Sequence, residues 1–500
     1  MADEKPCYPI IYVRGYAGTQ DDVEETVDDP FYGFNLGSTH VRIGPQGDPQ
    51  FFAFAGPLLR LITERNYTRV YEGNVQQVVS GLADPTRSST IWIYRYYDAT
   101  TKTFGASPRR LSIEEAAEGL RVLIKEVTTQ SGKVVLVAHS MGGLICRSLI
   151  QKIYPDRDED PTNHIDRFIT YGTPHGGIHF DVGGGLLEWI RDGIGWNNSD
   201  DFGYQRMWEF LTPKSQKREN TYPQDFEKRA NEVPNFPVDR MFSIIGTNAA
   251  DYAVLYGASR KGVGPKSDGL VQTQHAYIKG APRAYVHRSH SGRYGIVNSE
   301  EGYQNLQRFL FGDIRVNMAL SNLSLQHDDR HFYQADVRVS IRGLPIFVNE
   351  QSVAHSCPIP LDKDASGVYP LFTAYLMPRL SHSGDGICRY TIDLTVFAFT
   401  KRDGVFSFND HIEGLPFWSD WLVVDVKDGA SGTMRYDGTY GWLSEMSGYT
   451  DPQNPILAAA SAQGDGIRIT IPLPPKAQEK LGSHASVILD TYAWNGAYRL

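Results

Sequence analysis

Along the first three-fifths of the chain, short apolar runs alternate with stretches in which apolar positions recur every three or four residues. Runs at 9–13, 91–97, 134–138, 168–171, 241–245 and 284–286 place apolar side chains on both faces of an extended segment. Such runs predict strands of a mostly parallel sheet covered on both sides. Between them, Ile113, Ala117, Leu120, Ile124 and Val127 fall on one face of a helix. Residues 144–153 read as a second helix, and a last one carries Tyr303, Leu306 and Leu310 on one face. This alternation predicts an α/β layer structure. Near residue 312 the period changes to two. Val337, Val339 and Ile341 alternate with Arg338 and Ser340; Ile392, Leu394 and Val396 with Asp393 and Thr395; Ile467, Ile469 and Ile471 with Arg468 and Thr470. Half-buried antiparallel strands read this way. The expected organisation is therefore an α/β domain over 1–312 and an all-β, sandwich-like domain over 313–500. The acidic run at 21–29 reads as a solvated loop.

Composition narrows the class. Of the 500 residues, 41% are hydrophobic and 12% aromatic, enough to bury large cores, which argues against a disordered or fibrous chain. Against 49 basic side chains stand 58 acidic ones, a net charge of −9, with no Lys/Arg-dense run. Nucleic acid is therefore not expected as a partner, nor is an anionic membrane bound by charge. No stretch approaches the roughly 20 apolar residues of a transmembrane helix. The start, Met-Ala-Asp-Glu-Lys-Pro, lacks the basic residues and apolar core of a cleaved leader. The expectation is a cytoplasmic protein, or one exported without a cleaved signal peptide. Cys7, Cys146, Cys357 and Cys388 have no zinc-ligand spacing, while Cys357 and Cys388 leave room for one bridge.

The chemistry begins at residues 134–143, Val-Val-Leu-Val-Ala-His-Ser-Met-Gly-Gly. A buried strand runs into a turn centred on Ser140, and a helix follows at once. This is the pattern of a nucleophile elbow. The serine is held in a strained backbone conformation, so the residues two positions either side must be small; they are Ala138 and Gly142. The helix behind it directs backbone N–H groups and a positive dipole end toward an oxyanion.

Here the sequence resembles the α/β-hydrolase superfamily, lipase/esterase branch, over about residues 5–312. The segment Ile-Ile-Tyr-Val-Arg-Gly-Tyr-Ala-Gly at 10–18 is similar to the strand and loop that supply one oxyanion-hole amide. The resemblance assigns that amide to Tyr16 and the second to Met141, with Arg14 standing where the family usually has His. Tyr-Gly-Thr-Pro-His-Gly-Gly at 171–177 also resembles a lipase segment, its His175 reading as a turn-stabilising residue. In this fold the chain order is nucleophile, acid, base. The resemblance then points to Asp268, in Asp-Gly-Leu-Val after the penultimate strand, with Asp251 as the fallback. It points to His290 in Val-His-Arg-Ser-His-Ser-Gly after the last strand. His290 sits in the loop and is preferred to His287, flush with the strand; His275 is a third candidate.

Residues 178–240 lie where such lipases insert a lid or cap. They carry Trp189, Trp196 and Trp208 beside the Gly183–Gly185 run, which suits an apolar acyl chain. A second insertion, 19–50, and the aromatics Phe31, Tyr32, Phe34, Phe51, Phe52 and Phe54 suit core or an entrance lining. In the β domain, Trp418, Trp421, Tyr436, Tyr440 and Trp442 suit sandwich core. The resemblance implies a serine hydrolase of carboxylic esters with apolar acyl chains: a lipase, carboxylesterase or phospholipase using Ser140, His290 and Asp268. Its partner is a lipid or ester substrate, with contact at a lipid–water interface. The alternatives are an acyltransferase or thioesterase on the same fold, or a catalytically silent binding protein. No cofactor and no catalytic metal are implied; the acidic content is compatible with a structural Ca²⁺.

Overall fold

A computed structural model describes residues 8–15, 20–29, 31–34, 38–43, 46–54, 56–69, 89–102, 111–177, 203–217, 222–250, 266–325, 331–361, 367–378, 386–400, 416–427, 436–447 and 451–495. Contacts divide the chain into two compact units. One takes Met1–Arg283 and Arg288–Tyr303; the other takes Ala284–His287 and Gln304–Leu500. Among the described residues, no helix is long and apolar enough to cross a membrane.

The apolar runs of the first three-fifths of the chain become one sheet. Its strands follow the order Thr68–Arg69, Thr90–Tyr94, Ile10–Val13, Val134–His139, Ile165–Tyr171 and Met241–Gly246, and the order closes on Arg283–Val286. Neighbours from Thr68–Arg69 to Met241–Gly246 pair in parallel. Ile10, Ile11, Tyr12 and Val13 are fully buried, as strands covered on both faces require. The helix Ile113–Ser131 begins in a capping box between Ser112 and Glu115. Its apolar positions Ile113, Ala117, Leu120, Ile124 and Val127 are all buried. The predicted strand at 91–97 ends at Tyr94. Beyond it, Tyr96 and Tyr97 turn their hydroxyls onto the main-chain carbonyl of Gly15, at 3.2 and 3.1 Å.

The acidic run corrects an expectation. Residues Gln20–Asp28 form a helix rather than a loop. Val23 and Val27, one turn apart, are buried with Thr26. The carboxylates occupy the remaining faces, and Asp21 and Asp22 lie in the first turn, where the helix dipole favours negative charge. Thus two valines outweigh the polarity of the run.

From Ile314 onward the strands of the second unit pair antiparallel. One sheet orders Val368–Leu376, Ile314–Ser321, Ser486–Ala493, Gly466–Pro472 and Ala460–Gln463. The other orders Phe347–Gln351, His331–Ile341, Ile387–Thr400, Pro416–Lys427, Asp437–Trp442 and Asn454–Pro455, with Ile359–Pro360 also pairing to His331–Ile341. Val337, Val339, Ile392, Leu394, Val396, Ile469 and Ile471 are buried, matching the period-two reading. Trp418, Tyr436 and Trp442 are core, whereas Trp421 is 37% exposed. Cys357 and Cys388 are buried free thiols, so no bridge joins them.

Candidate active site

Ser140 links the strand Val134–His139 to the helix Met141–Ser148, with φ 53° and ψ −129°. A non-glycine residue held in such a region costs on the order of 1–3 kcal/mol, which the surroundings must over-determine. The Ser140 amide donates to the Tyr171 carbonyl at 2.9 Å, and its carbonyl accepts from the Gly143 amide at 3.0 Å and from Thr173 Oγ1 at 2.9 Å. A Cβ on Gly142 would lie 2.3 Å from the Val13 carbonyl oxygen, so only glycine fits two residues past the serine. The turn presents Ser140 Oγ 3.0 Å from His290 Nε2.

His290 in turn places Nδ1 2.8 Å from Asp268 Oδ2. Asp268 is 1% exposed and His290 3%. The other carboxylate oxygen, Oδ1, accepts the amides of Leu270 and Val271, at 3.0 and 2.8 Å. Asp268 therefore closes its own Asp-Gly turn with one oxygen and meets the imidazole with the other. An ionised carboxylate only accepts, so His290 Nδ1 carries the proton and Nε2 turns its lone pair to Ser140. Gly172, at φ 52°, is the floor under this pair: a Cβ there would lie 2.8 Å from Asp268 Oδ2. The three residues nominated from sequence are thus in one hydrogen-bonded row.

Of the two nominated oxyanion donors, Met141 opens the elbow helix, where first-turn amides have no helical acceptor. Tyr16 lies outside the described residues, as does Asp251. Arg14 does not turn toward the serine; its Nη1 donates to the Tyr32 carbonyl at 2.6 Å. The other histidines find different partners. The His287 ring stacks on His355 at 3.6 Å between centroids. His275 lies in a short helical turn, its carbonyl accepting the Gly176 amide at 2.9 Å. His175 is fully buried, with Nε2 3.0 Å from Thr170 Oγ1. Burial and the neighbouring Arg147 hold its pKa well below the usual histidine range.

Sequence reasoning missed two residues. His139, beside the serine, has Nε2 2.9 Å from the His290 carbonyl, and the two rings are 4.8 Å apart. Burial, then the neighbouring His290, keep its pKa well below the usual range. Its only sequence signal was adjacency to Ser140. Arg147 is fully buried and donates to the Gln151 side chain and to the carbonyls of His175, Ala230 and Glu232, at 2.7–3.0 Å. It thereby ties the elbow helix to the insertion. Of that insertion, residues 178–202 and 218–221 lie outside the described residues, with Trp189 and Trp196 among them. The described part includes the helix Tyr204–Leu211, which buries Met207, Trp208, Phe210 and Leu211 as a packed cap. Among the described residues, no group of three or more His, Cys, Asp or Glu is arranged to hold a metal ion.

A family model described as palmitoyl protein thioesterase matches residues 73–205, which include the Ser140 elbow and stop short of Asp268 and His290. The first unit has the α/β-hydrolase fold. No curated protein is significantly similar to the chain. Among solved structures, the chain is similar to a cell surface hydrolase from Lactobacillus plantarum WCFS1 (14% identity, 61% of this chain, 91% of that one, TM-score 0.25). It is also similar to the phospholipase PlaB from Legionella pneumophila, solved alone and with thio-NAD (12% identity, 82% of this chain, 91% of that one, TM-score 0.31).

Proposed function

We propose that this hydrolase cleaves esters of apolar acyl chains through an acyl-enzyme on Ser140, with His290 as general base and Asp268 as its carboxylate partner. One observation carries the reading: the row from Ser140 Oγ through His290 to Asp268, at 3.0 and 2.8 Å, built on a strained elbow. Ser140 Oγ attacks the acyl carbonyl while His290 Nε2 takes its proton. Asp268 stabilises the resulting imidazolium across Nδ1. The tetrahedral intermediate places its oxyanion against the amide of Met141 and, in this reading, that of Tyr16. Collapse expels the alcohol, which receives the proton from His290. Water then attacks the acyl-enzyme by the same route, releasing the acid and restoring Ser140.

The apolar and aromatic content of the insertion at 178–240 supports a fatty rather than a small polar acyl group. A second reading, thioester cleavage, is favoured by the thioesterase description of the matching family model. The row of residues would act identically on it, since a thioester presents the same carbonyl with a better leaving group. The test sets wild type beside Ser140→Ala. Both meet a fluorophosphonate probe, p-nitrophenyl esters from acetyl to palmitoyl, an S-palmitoyl thioester and phosphatidylcholine vesicles. Labelling and turnover in wild type alone are expected, rising with chain length. Equal labelling of both proteins, or none, overturns the reading. Faster thioester than ester turnover selects the second.

A further inference from the structure

We infer that His139 is a positioning residue for the base: its ring donates Nε2–H to the main-chain carbonyl of His290 and so sets where that residue stands relative to Ser140. The inference rests on the proposed roles of Ser140, His290 and Asp268.

Three of the bonds to His290 come from two residues. Its amide donates to the Asp268 carbonyl at 2.9 Å, its Nδ1 meets Asp268 Oδ2 at 2.8 Å, and its Nε2 meets Ser140 Oγ at 3.0 Å. These bonds hold the amide end and the ring. They leave the carbonyl end of the residue to be placed, and there His139 Nε2 lies at 2.9 Å. A carbonyl can only accept, so the His139 tautomer is fixed with its proton on Nε2. The geometry has a consequence for catalysis. His139 is the last residue of the strand Val134–His139, and Ser140 follows it directly. One strand end therefore supplies the nucleophile and, through the preceding ring, the anchor of the base, across 151 residues of chain. The separation between Ser140 Oγ and His290 Nε2 is then referred to a single element of the sheet rather than to two independent loops.

The charge balance agrees with this. During attack His290 becomes an imidazolium, with the His139 ring 4.8 Å away. A second charged ring there would oppose that step, whereas a neutral ring donating to the carbonyl does not. Burial keeps His139 neutral at working pH. A hydroxyl or apolar side chain in its place would not reach the carbonyl as a donor.

The full-length chain is made as wild type, Ser140→Ala, His139→Gln, His139→Asn and His139→Leu. Glutamine carries a donor N–H at about the reach of imidazole Nε2; asparagine is too short, and leucine has none. For each we would measure the thermal midpoint, the rate of fluorophosphonate labelling, and kcat and KM for p-nitrophenyl butyrate. His139→Asn and His139→Leu should lose on the order of 100-fold in labelling rate and kcat, the usual cost of a displaced catalytic group, with KM little changed. His139→Gln should recover most of that loss. Wild-type labelling rates in the Asn and Leu variants overturn the inference. So does a Gln variant that melts like wild type but labels as slowly as the Asn variant. A distinct result, wild type unlabelled or Ser140→Ala labelled equally, removes the proposed roles of Ser140 and His290 and the inference with them.

Discussion

Asp268 serves a turn and an imidazole with one side chain, and the two uses can be separated. In Asp268→Asn the amide oxygen can still accept from Leu270 and Val271, so the turn should persist. The amide nitrogen would face His290 Nδ1 as a donor and force the proton onto Nε2, the wrong nitrogen for a base. We expect kcat to fall by about 10⁴ with KM and the thermal midpoint little changed; steady-state kinetics and calorimetry on one preparation check this. Gly172 tests the same pair sterically. Gly172→Ala sets a Cβ 2.8 Å from Asp268 Oδ2 at a backbone φ of 52°, so activity should drop more than stability. At this scale the sequence nominated Ser140, Asp268 and His290, which stand in one hydrogen-bonded row. A strained turn demands small neighbours, and the hydrolase chain order leaves few candidates. His139 was not legible, because its partner is a carbonyl, which no residue type advertises.

Elements were legible where one period dominated. The strands around Ile10–Val13 and Val134–His139 and the helix Ile113–Ser131 came from apolar spacing alone. The helix Gln20–Asp28 was hidden, since two buried valines in an acidic run are a faint signal. The early end of the strand Thr90–Tyr94 was hidden too, because Tyr96 and Tyr97 leave the sheet to bind the Gly15 carbonyl, a partner 81 and 82 residues earlier. Arg147 governs how the elbow helix meets the insertion. Burial pulls its guanidinium pKa down to about 9, so it stays charged at neutral pH. Arg147→Met would remove the Arg147 donors to the carbonyls of His175 and Ala230, while the Glu232 carbonyl keeps Gln151 Nε2 at 3.2 Å. With about 1–3 kcal/mol per buried group left unpaired, a loss of several kcal/mol in urea unfolding is expected. Arg147→Lys should recover only part of it, lacking the planar fork that reaches three carbonyls.

For the whole molecule, pH is the informative variable. His139 and His175 of the first unit, and His355 of the β unit, are all held below the usual histidine range, chiefly by burial. A lowered folded pKa means that the unfolded chain binds more protons once pH drops below about 6.5. Their stability is therefore intact above that value and is lost as pH falls toward the folded values. Asp336 in the β unit has the opposite sign. Burial raises it to about 6, so between pH 6 and about 4 it binds protons in the folded state and gains stability as pH falls. The first unit should consequently lose stability before the β unit between pH 6.5 and 5. Hydrogen exchange of full-length protein, resolved by peptide, checks the order. Equal loss in both units would contradict the balance.

The sequence by itself determined the two kinds of architecture, the elbow at Ser140, and the candidates Asp268 and His290. These follow from periodicity, small residues around a strained turn, and chain order, all local or nearly local properties. The sequence preferred His290 to His287, and tertiary structure set what each ring meets. His287 and His290 are three residues apart in similar sequence, yet one ring stacks on His355 and the other lies between Ser140 and Asp268. It also decided that Arg14 turns to a carbonyl, that Arg147 clasps the insertion, and that His139 meets the His290 carbonyl. Each of these depends on a hydrogen-bond partner far away along the chain, and only folding brings such partners within 3 Å.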